Sequence, residues 1–135
     1  MRFLHVSPIL NVSDVPASLE WLESLGWERG FTWPRDGKPI DFAAVRGVGH
    51  TEIFLCLGAQ GSRGGPSPKF VGDDETGGVW MSWWVQTPDE VDAVHERAVE
   101  LGYDVSMPPK DEPWGVREFH LRHPDGHTFR VSSGL

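Results

Sequence analysis

Two segments of the chain show the apolar periodicity of a helix that packs on one side. The first follows Asp14, a residue type that caps helix N-termini, and the second opens at 87–90 with Thr-Pro-Asp-Glu, a capping box. A glycine ends each helix, Gly26 in the first and Gly102 in the second. The predicted buried positions are Leu19, Leu22 and Leu25 in the first helix and Val91, Val94, Ala98 and Leu101 in the second.

Short apolar strands surround both helices in the same order. One strand precedes each helix, over 6–12 and 79–85, and each helix ends in Leu-Gly-aromatic, at 25–27 and 101–103. Three further strands follow each helix, predicted at 27–33, 41–46 and 52–57 and at 103–107, 116–122 and 128–132. The order strand, helix, three strands therefore occurs twice, which indicates an internal repeat.

The chain of 135 residues is long enough to bury the core of a single domain. A glycine-rich, polar stretch at about 59–78 is predicted to be the linker between module one, about 1–58, and module two, about 79–135. A flexible flap over a pocket is the alternative interpretation of this stretch.

Charge and composition narrow the classes of partner. The net charge of −8 disfavours nucleic acid, which requires a basic surface, while it permits a cationic ligand or serves solubility alone. The single cysteine, Cys56, excludes an intrachain disulfide and a cysteine-based zinc site. No signal-like core or membrane-length apolar stretch occurs, so we expect a cytoplasmic protein without a membrane partner.

The opening and closing stretches of the chain carry a family resemblance. Residues 9–14, Ile-Leu-Asn-Val-Ser-Asp, with the helix and Leu-Gly-Trp that follow, and residues 119–131 around Pro124-Asp125-Gly126 are the matching motifs. They resemble the glyoxalase/bleomycin resistance protein/extradiol dioxygenase (vicinal oxygen chelate) superfamily over nearly the whole chain. The resemblance implies an α+β fold in which two tandem βαβββ modules form a cupped, mixed eight-stranded sheet. Its helices cover the convex face and its ligand lies in the concave one.

Strand alternation then sorts the side chains between the core and the cup. Met81, Trp83, Val85, Phe119, Leu121, Phe129 and Val131 are predicted to face the core. The positions predicted to face the cup are Trp80, Ser82, Trp84, Glu118, His120, Arg122, Thr128, Arg130 and Ser132.

Enzymes of the family bind a divalent metal through His and Glu side chains. The resemblance maps three of these positions onto Ser7, Trp80 and Arg130, and the fourth near Phe54 or Cys56, where the register is open. None of the three is a usual ligand, and the guanidinium repels a dication. The resemblance therefore predicts no cofactor, and it leaves enzymatic activity open while favouring a protein that only binds.

A displaced metal site is the alternative, with His5, Glu52 and His120 as ligands. His50 and Glu118 could offer further ligands to it. No ligand-spacing signature supports it, so a polar network of Glu118, His120 and Arg130 is the favoured interpretation. His95 is predicted to be a solvated surface residue. His123 and His127 flank the turn between the last two strands, where capping or surface roles are expected.

Seven tryptophans are unusual for this length; Trp83 is assigned to the core above, and the other six divide into two groups. Trp21 and Trp27 are predicted to pack in the core or at a dimer contact. Trp33, Trp80, Trp84 and Trp114 either line a pocket or pack ordinarily. In a pocket, their rings would stack on a planar aromatic molecule.

The favoured function is a metal-free, small-molecule-binding protein of the bleomycin-resistance type, a homodimer that sequesters a bulky aromatic metabolite or antibiotic. The alternatives are a metal-dependent glyoxalase-like lyase, isomerase or dioxygenase with relocated ligands, and a dimeric stress or regulatory binding module. The predicted ligand-binding residues are Ser7, Trp33, Trp80, Trp84, Trp114, Glu118, His120 and Arg130.

Overall fold

A computed structural model of the chain describes residues 1–58 and 78–135. The described residues fall into two compact units, one on each side of the gap. The predicted linker lies outside the described residues, apart from Gly78.

Module one contains one helix and a four-stranded mixed sheet. Its elements are β1 (Ile9–Val12), α1 (Val15–Ser24), β2 (Glu28–Trp33), β3 (Phe42–Arg46) and β4 (Glu52–Leu57). The strand order is β1-β4-β3-β2, in which β1 runs parallel to β4 and the other pairs are antiparallel. The Asp14 carboxylate accepts a hydrogen bond from the Ala17 N–H at 2.9 Å, so the predicted N-cap is confirmed.

The core of module one lies between α1 and one face of its sheet. Alternate strand positions supply its sheet side, which is formed by Leu10, Val12, Ala43, Val45, Ile53 and Leu55. The helix adds Val15, Leu19 and Leu22, all fully buried. Trp21 is also buried, with 7% of its surface exposed in the single chain, so it is a packing residue and is not available for the suggested dimer contact.

Module two repeats the same order of elements. They are β5 (Trp80–Trp84), α2 (Pro88–Glu100), β6 (Asp104–Glu112), β7 (Val116–Arg122) and β8 (Thr128–Gly134). The strand order is β5-β8-β7-β6, with β5 parallel to β8 and antiparallel pairing elsewhere. The α+β class and the two βαβββ modules are therefore confirmed.

Strand β6 extends five residues beyond the predicted end at Met107. Pro108 and Pro109 favour an end at that point, because proline donates no hydrogen bond to a ladder. The strand continues because β6 is at the edge of its sheet, where a missing donor is tolerated, and because two register shifts restore its pairing with β7.

The core of module two lies between α2 and the odd-numbered positions of β5, β7 and β8. The Trp83 ring stacks on Phe129 with centroids 4.2 Å apart. His95 of α2 contacts the edge of Phe119 at 5.3 Å and is half-buried. The expectation that His95 is a solvated surface residue is therefore wrong, because the helix turns it toward the sheet.

Arg117 ties α2 to the β6–β7 hairpin on this same side of the sheet. Its guanidinium bonds Asp111 at 2.9 Å and Asp92 of α2 at 2.9 Å. The hydrogen bonds that Arg117 donates to Asp111 and Asp92 raise its pKa above the ordinary value. Within the described residues, no helix is both long enough and apolar enough to cross a membrane.

Candidate functional site

The face of each sheet that lies opposite its helix is called here the open face of the module. In module two it is formed by alternate residues of three neighbouring strands, as the alternation predicts. Strand pairing arranges them in three rows across the sheet: Trp80, Thr128 and Arg122; Ser82, Arg130 and His120; Trp84, Ser132 and Glu118. Arg130 therefore occupies the centre of the open face of module two.

A buried ion pair joins two of these rows. Arg130 Nη2 donates to Glu118 Oε2 at 2.6 Å, and the Ser132 hydroxyl donates to the same oxygen at 3.3 Å. His120 Nε2 lies 3.8 Å from Glu118 Oε1. Glu118 is only 2% exposed, and a buried carboxylate is tolerated because it is paired and hydrogen-bonded. The Arg130 side chain remains 34% exposed, so the pair presents its cationic end to the outside.

Aromatic rings border the ion pair on the β5 side. Trp80 contacts the His120 ring edge-on with centroids 5.4 Å apart. Trp80 is 39% exposed and Trp84 66% exposed, in contrast to Trp83, which is buried on the other side of the sheet. Two of the three β5 tryptophans thus present apolar surface beside a charged group.

The remaining predicted residues lie at different places. Trp114 is exposed on the turn between β6 and β7, beyond the Trp84 end of the sheet. Trp33 is exposed on β2 of module one and pairs with Phe42, and Ser7 precedes β1 of the same module. The open face of module two therefore brings together Trp80, Trp84, Glu118, His120 and Arg130.

The open face of module one is chemically different. Its centre is a cluster of three phenylalanine rings, Phe31, Phe42 and Phe54, with centroids 5.5–5.6 Å apart. At one end the Ser7 hydroxyl donates to Glu52 Oε1 at 2.5 Å. This face offers mainly apolar surface where module two offers an ion pair.

Strand register shows which residue near 54–56 corresponds in module one to Arg130, the position that the resemblance left open between Phe54 and Cys56. Ser82 lies five residues before the Thr87 cap and pairs with Arg130, and Ile9 lies five residues before the Asp14 cap and pairs with Phe54. Phe54 is therefore the module-one counterpart of Arg130.

The four positions onto which the resemblance maps the family's metal ligands thus hold Ser7, Phe54, Trp80 and Arg130. Two aromatic rings, one hydroxyl engaged with Glu52, and one guanidinium do not form a donor set for a divalent cation. These residues do not fit the family's metal.

The alternative ligands are only partly assembled. His5 Nε2 lies 3.9 Å from Glu52 Oε1, and the His5 ring stacks on His50 with centroids 5.5 Å apart. His120 belongs to module two. Across 1–58 and 78–135, no group of three His, Cys, Asp or Glu side chains is arranged to hold a metal ion.

Two buried histidines hold the start of β5 and the β7–β8 turn. His127 Nδ1 accepts a hydrogen bond from the Val79 N–H at 2.9 Å, and His123 Nδ1 accepts from the Asp125 N–H at 3.0 Å. Both are fully or nearly fully buried, so of the two roles expected from the sequence the structure agrees with capping and not with a surface position. Each Nδ1 must be unprotonated to accept, so these rings act as neutral structural acceptors.

Sequence reasoning missed the part that Ser132 plays in the site. It was placed on the correct face, but its contact with Glu118 depends on the β7–β8 register. The available signal was its spacing, two residues after Arg130 on the same strand.

The fold and the repeated modules define the class of protein. The family model described as "Glyoxalase/Bleomycin resistance protein/Dioxygenase superfamily" matches residues 2–131, and the chain belongs to that superfamily. A search of curated proteins finds no match.

Solved structures share the fold. TioX from Micromonospora sp. ML1 is 21% identical, with 98% of this chain and 97% of that chain covered and a TM-score of 0.70. A superfamily member from Sphaerobacter thermophilus is 24% identical, with 98% of each chain covered and a TM-score of 0.70. The genomically encoded fosfomycin resistance protein FosX from Listeria monocytogenes, complexed with Mn(II) and sulfate, is 17% identical, with 100% and 93% covered and a TM-score of 0.69.

Proposed function

We propose that this protein binds an aromatic small molecule without a metal, as a bleomycin-resistance-type member of its superfamily that sequesters a metabolite or antibiotic. The observation that carries the proposal is the open face of module two, where Trp80 and Trp84 flank the Glu118–Arg130 pair. Binding sites for small molecules commonly combine apolar and aromatic surface with a few placed polar groups.

The two exposed tryptophans support an aromatic ligand. Their Cα atoms are four residues apart on one strand, or about 13 Å at a rise of about 3.3 Å per residue. This spacing suits an extended or multi-ring molecule that contacts both. Each stacked ring contributes about 0.5–1.5 kcal/mol beyond the burial of its area.

The residues at the family's four ligand positions support binding without a metal. Arg130 carries a permanent positive charge, and Glu118, the nearest carboxylate, already accepts hydrogen bonds from Arg130 and Ser132. A cation at this point would compete with a guanidinium that cannot be deprotonated. Antibiotics are one candidate ligand class because the fold is shared with a fosfomycin resistance protein.

Calorimetric titration of the full chain with bleomycin-type and planar aromatic compounds tests the proposal. Binding at micromolar concentration is expected, weakened at least fivefold in Trp80→Leu and Trp84→Leu. Val99→Ala, which trims an exposed apolar side chain on α2, is the control and leaves affinity unchanged. Absence of binding by every compound would refute the proposal. Light scattering of the same sample tests the homodimer that the family resemblance supports.

A metal-dependent lyase, isomerase or dioxygenase is the second candidate, favoured by the approach of His5 to Glu52. His120 is the third ligand of the set predicted from the sequence. Metal analysis of the purified protein separates the two proposals. One tightly held divalent ion per chain, lost in His120→Ala, would support the enzyme and contradict binding without a metal.

A further inference from the structure

The chain as a whole is acidic, with a net charge of −8, but the group at the centre of the open face of module two is a cation, the Arg130 guanidinium. Glu118 is buried beneath this face, whereas the Arg130 side chain that covers it is one-third exposed. We infer that Arg130 is an anion-binding group and that the ligand is an aromatic acid. This inference rests on the proposed function and names the ligand class for the same site.

The charged neighbours of Arg130 leave its position cationic. On β7, Arg122 lies 3.9 Å from Asp104 of β6, one row away toward the Trp80 end. On β6, Lys110 pairs with Glu118 across the sheet, and its Nζ lies 3.5 Å from Glu112, which is buried. Among the described residues of module two, the carboxylates nearest Arg130, Glu118 and Glu112, are thus buried, and the guanidinium at the centre is one-third exposed.

The Arg130 guanidinium has further N–H donors with which it could bind an anion. An arginine carries five N–H donors in a planar fork, and Arg130 uses one on Nη2 to bond Glu118. The Glu118 carboxylate orients this fork by accepting its hydrogen bond, and the Ser132 hydroxyl in turn holds that carboxylate in place. A positioned guanidinium matches the two oxygens of a carboxylate or sulfonate, as it does in bidentate arginine pairs.

The same position allows stacking and anion binding at once. Arg130 pairs with Ser82, which lies midway between Trp80 and Trp84 on β5. From a strand spacing of about 4.8 Å and a rise of about 3.3 Å per residue, its Cα lies about 8 Å from that of each tryptophan. A ring system stacked on either tryptophan therefore reaches Arg130 through an acid group attached directly or by a short link. The exposed Ser82 hydroxyl is a further donor beside that group.

Three probes with one ring system test the inference: 2-naphthoate, the neutral 2-naphthamide, and 2-naphthylmethylammonium. Calorimetry on the full chain is expected to show the anion binding at least tenfold more tightly than the amide, a difference of about 1.4 kcal/mol. Raising the salt concentration should reduce the preference, because the guanidinium is partly exposed.

The variant Arg130→Gln is expected to abolish the preference for the anion while affinity for the amide changes little. Because this variant leaves Glu118 buried without its partner, the double variant Glu118→Gln/Arg130→Gln removes both charges and provides a folded alternative. Arg97→Gln is the control, since Arg97 is an exposed arginine on α2 that pairs with Glu100. It should keep the full preference.

The outcomes separate this inference from the proposed function. Equal affinity for all three probes, or preference for the ammonium probe, would overturn the aromatic acid and leave a binding protein. Retention of the anion preference in both Arg130 variants would also overturn it. No binding by any probe or by the wider compound panel would remove the proposed function and this inference together.

Discussion

Removing the charge of Arg130 should destabilise the protein, because Glu118 would remain buried without its cation. Removing one partner of an ion pair lowers the free energy of unfolding by about 3–5 kcal/mol when both partners are buried. Here the Arg130 side chain is 34% exposed, so solvent screens part of the interaction and we expect about 2 kcal/mol for Arg130→Gln. The loss would fall on the sheet of module two, where the pair joins β7 to β8.

The partner variant should cost less. Glu118→Gln keeps the shape and one oxygen acceptor, and the Arg130 left behind is able to turn its charge toward water. We expect about 1 kcal/mol for this variant. The double variant should lie close to Glu118→Gln alone, so the two substitutions should be non-additive by about 2 kcal/mol, which is within the range for residues in contact.

Urea denaturation at neutral pH, followed by far-UV circular dichroism, measures these differences for all three variants. A parallel cycle on Arg97 and Glu100, an exposed pair 3.5 Å apart on α2, is the control and should show coupling below about 0.5 kcal/mol. The reasoning would be refuted if Arg130→Gln lost less than about 0.5 kcal/mol, or if the Glu118 and Arg130 effects were simply additive.

Three further substitutions test local parts of the fold. Thr128→Val should leave stability unchanged or raise it by up to about 1 kcal/mol, because the buried Thr128 hydroxyl has no hydrogen-bond partner among the described residues; a loss above 1 kcal/mol in thermal melts would contradict this. Gly78→Ala should destabilise by about 1–3 kcal/mol, since its Cβ would lie 2.7 Å from His127 Nδ1 and 2.9 Å from the Gly126 backbone; an unchanged melting temperature would count against it. Thr87→Ala removes the side-chain acceptor of the α2 capping box and should cost about 1 kcal/mol in urea denaturation, whereas Thr87→Ser should cost much less; equal losses would rule out the cap as the cause.

Adjacent residues of β7 illustrate how one strand serves two purposes. Arg117 faces the helix and ties α2 to the hairpin through Asp92 and Asp111, while Glu118 faces the other way and holds Arg130. Both residues are charged and they are consecutive in the sequence, so charge alone does not show which of them faces the helix. Their opposite directions follow from the two-residue period of a strand.

Local sequence determined the elements of this fold and the direction of most side chains. The caps at Asp14 and Thr87, the helices that follow them, and the assignment of Trp80 and Trp84 to the face opposite Trp83 were all predictable. Such features depend on residues only a few positions apart in the sequence. Their repetition in both halves of the chain supported the family resemblance. The aromatic pocket itself stays a prediction.

Only the tertiary structure decided which distant residues meet. The pairing of β1 with β4 and of β5 with β8 made Phe54 the counterpart of Arg130, and the β7–β8 register joined Glu118 to Arg130 and Ser132. The same holds for His95, which the packing of α2 brings against the ring of Phe119. Register is set by which faces must be buried together along the whole sheet, so short segments of sequence determine where side chains point and leave their partners open.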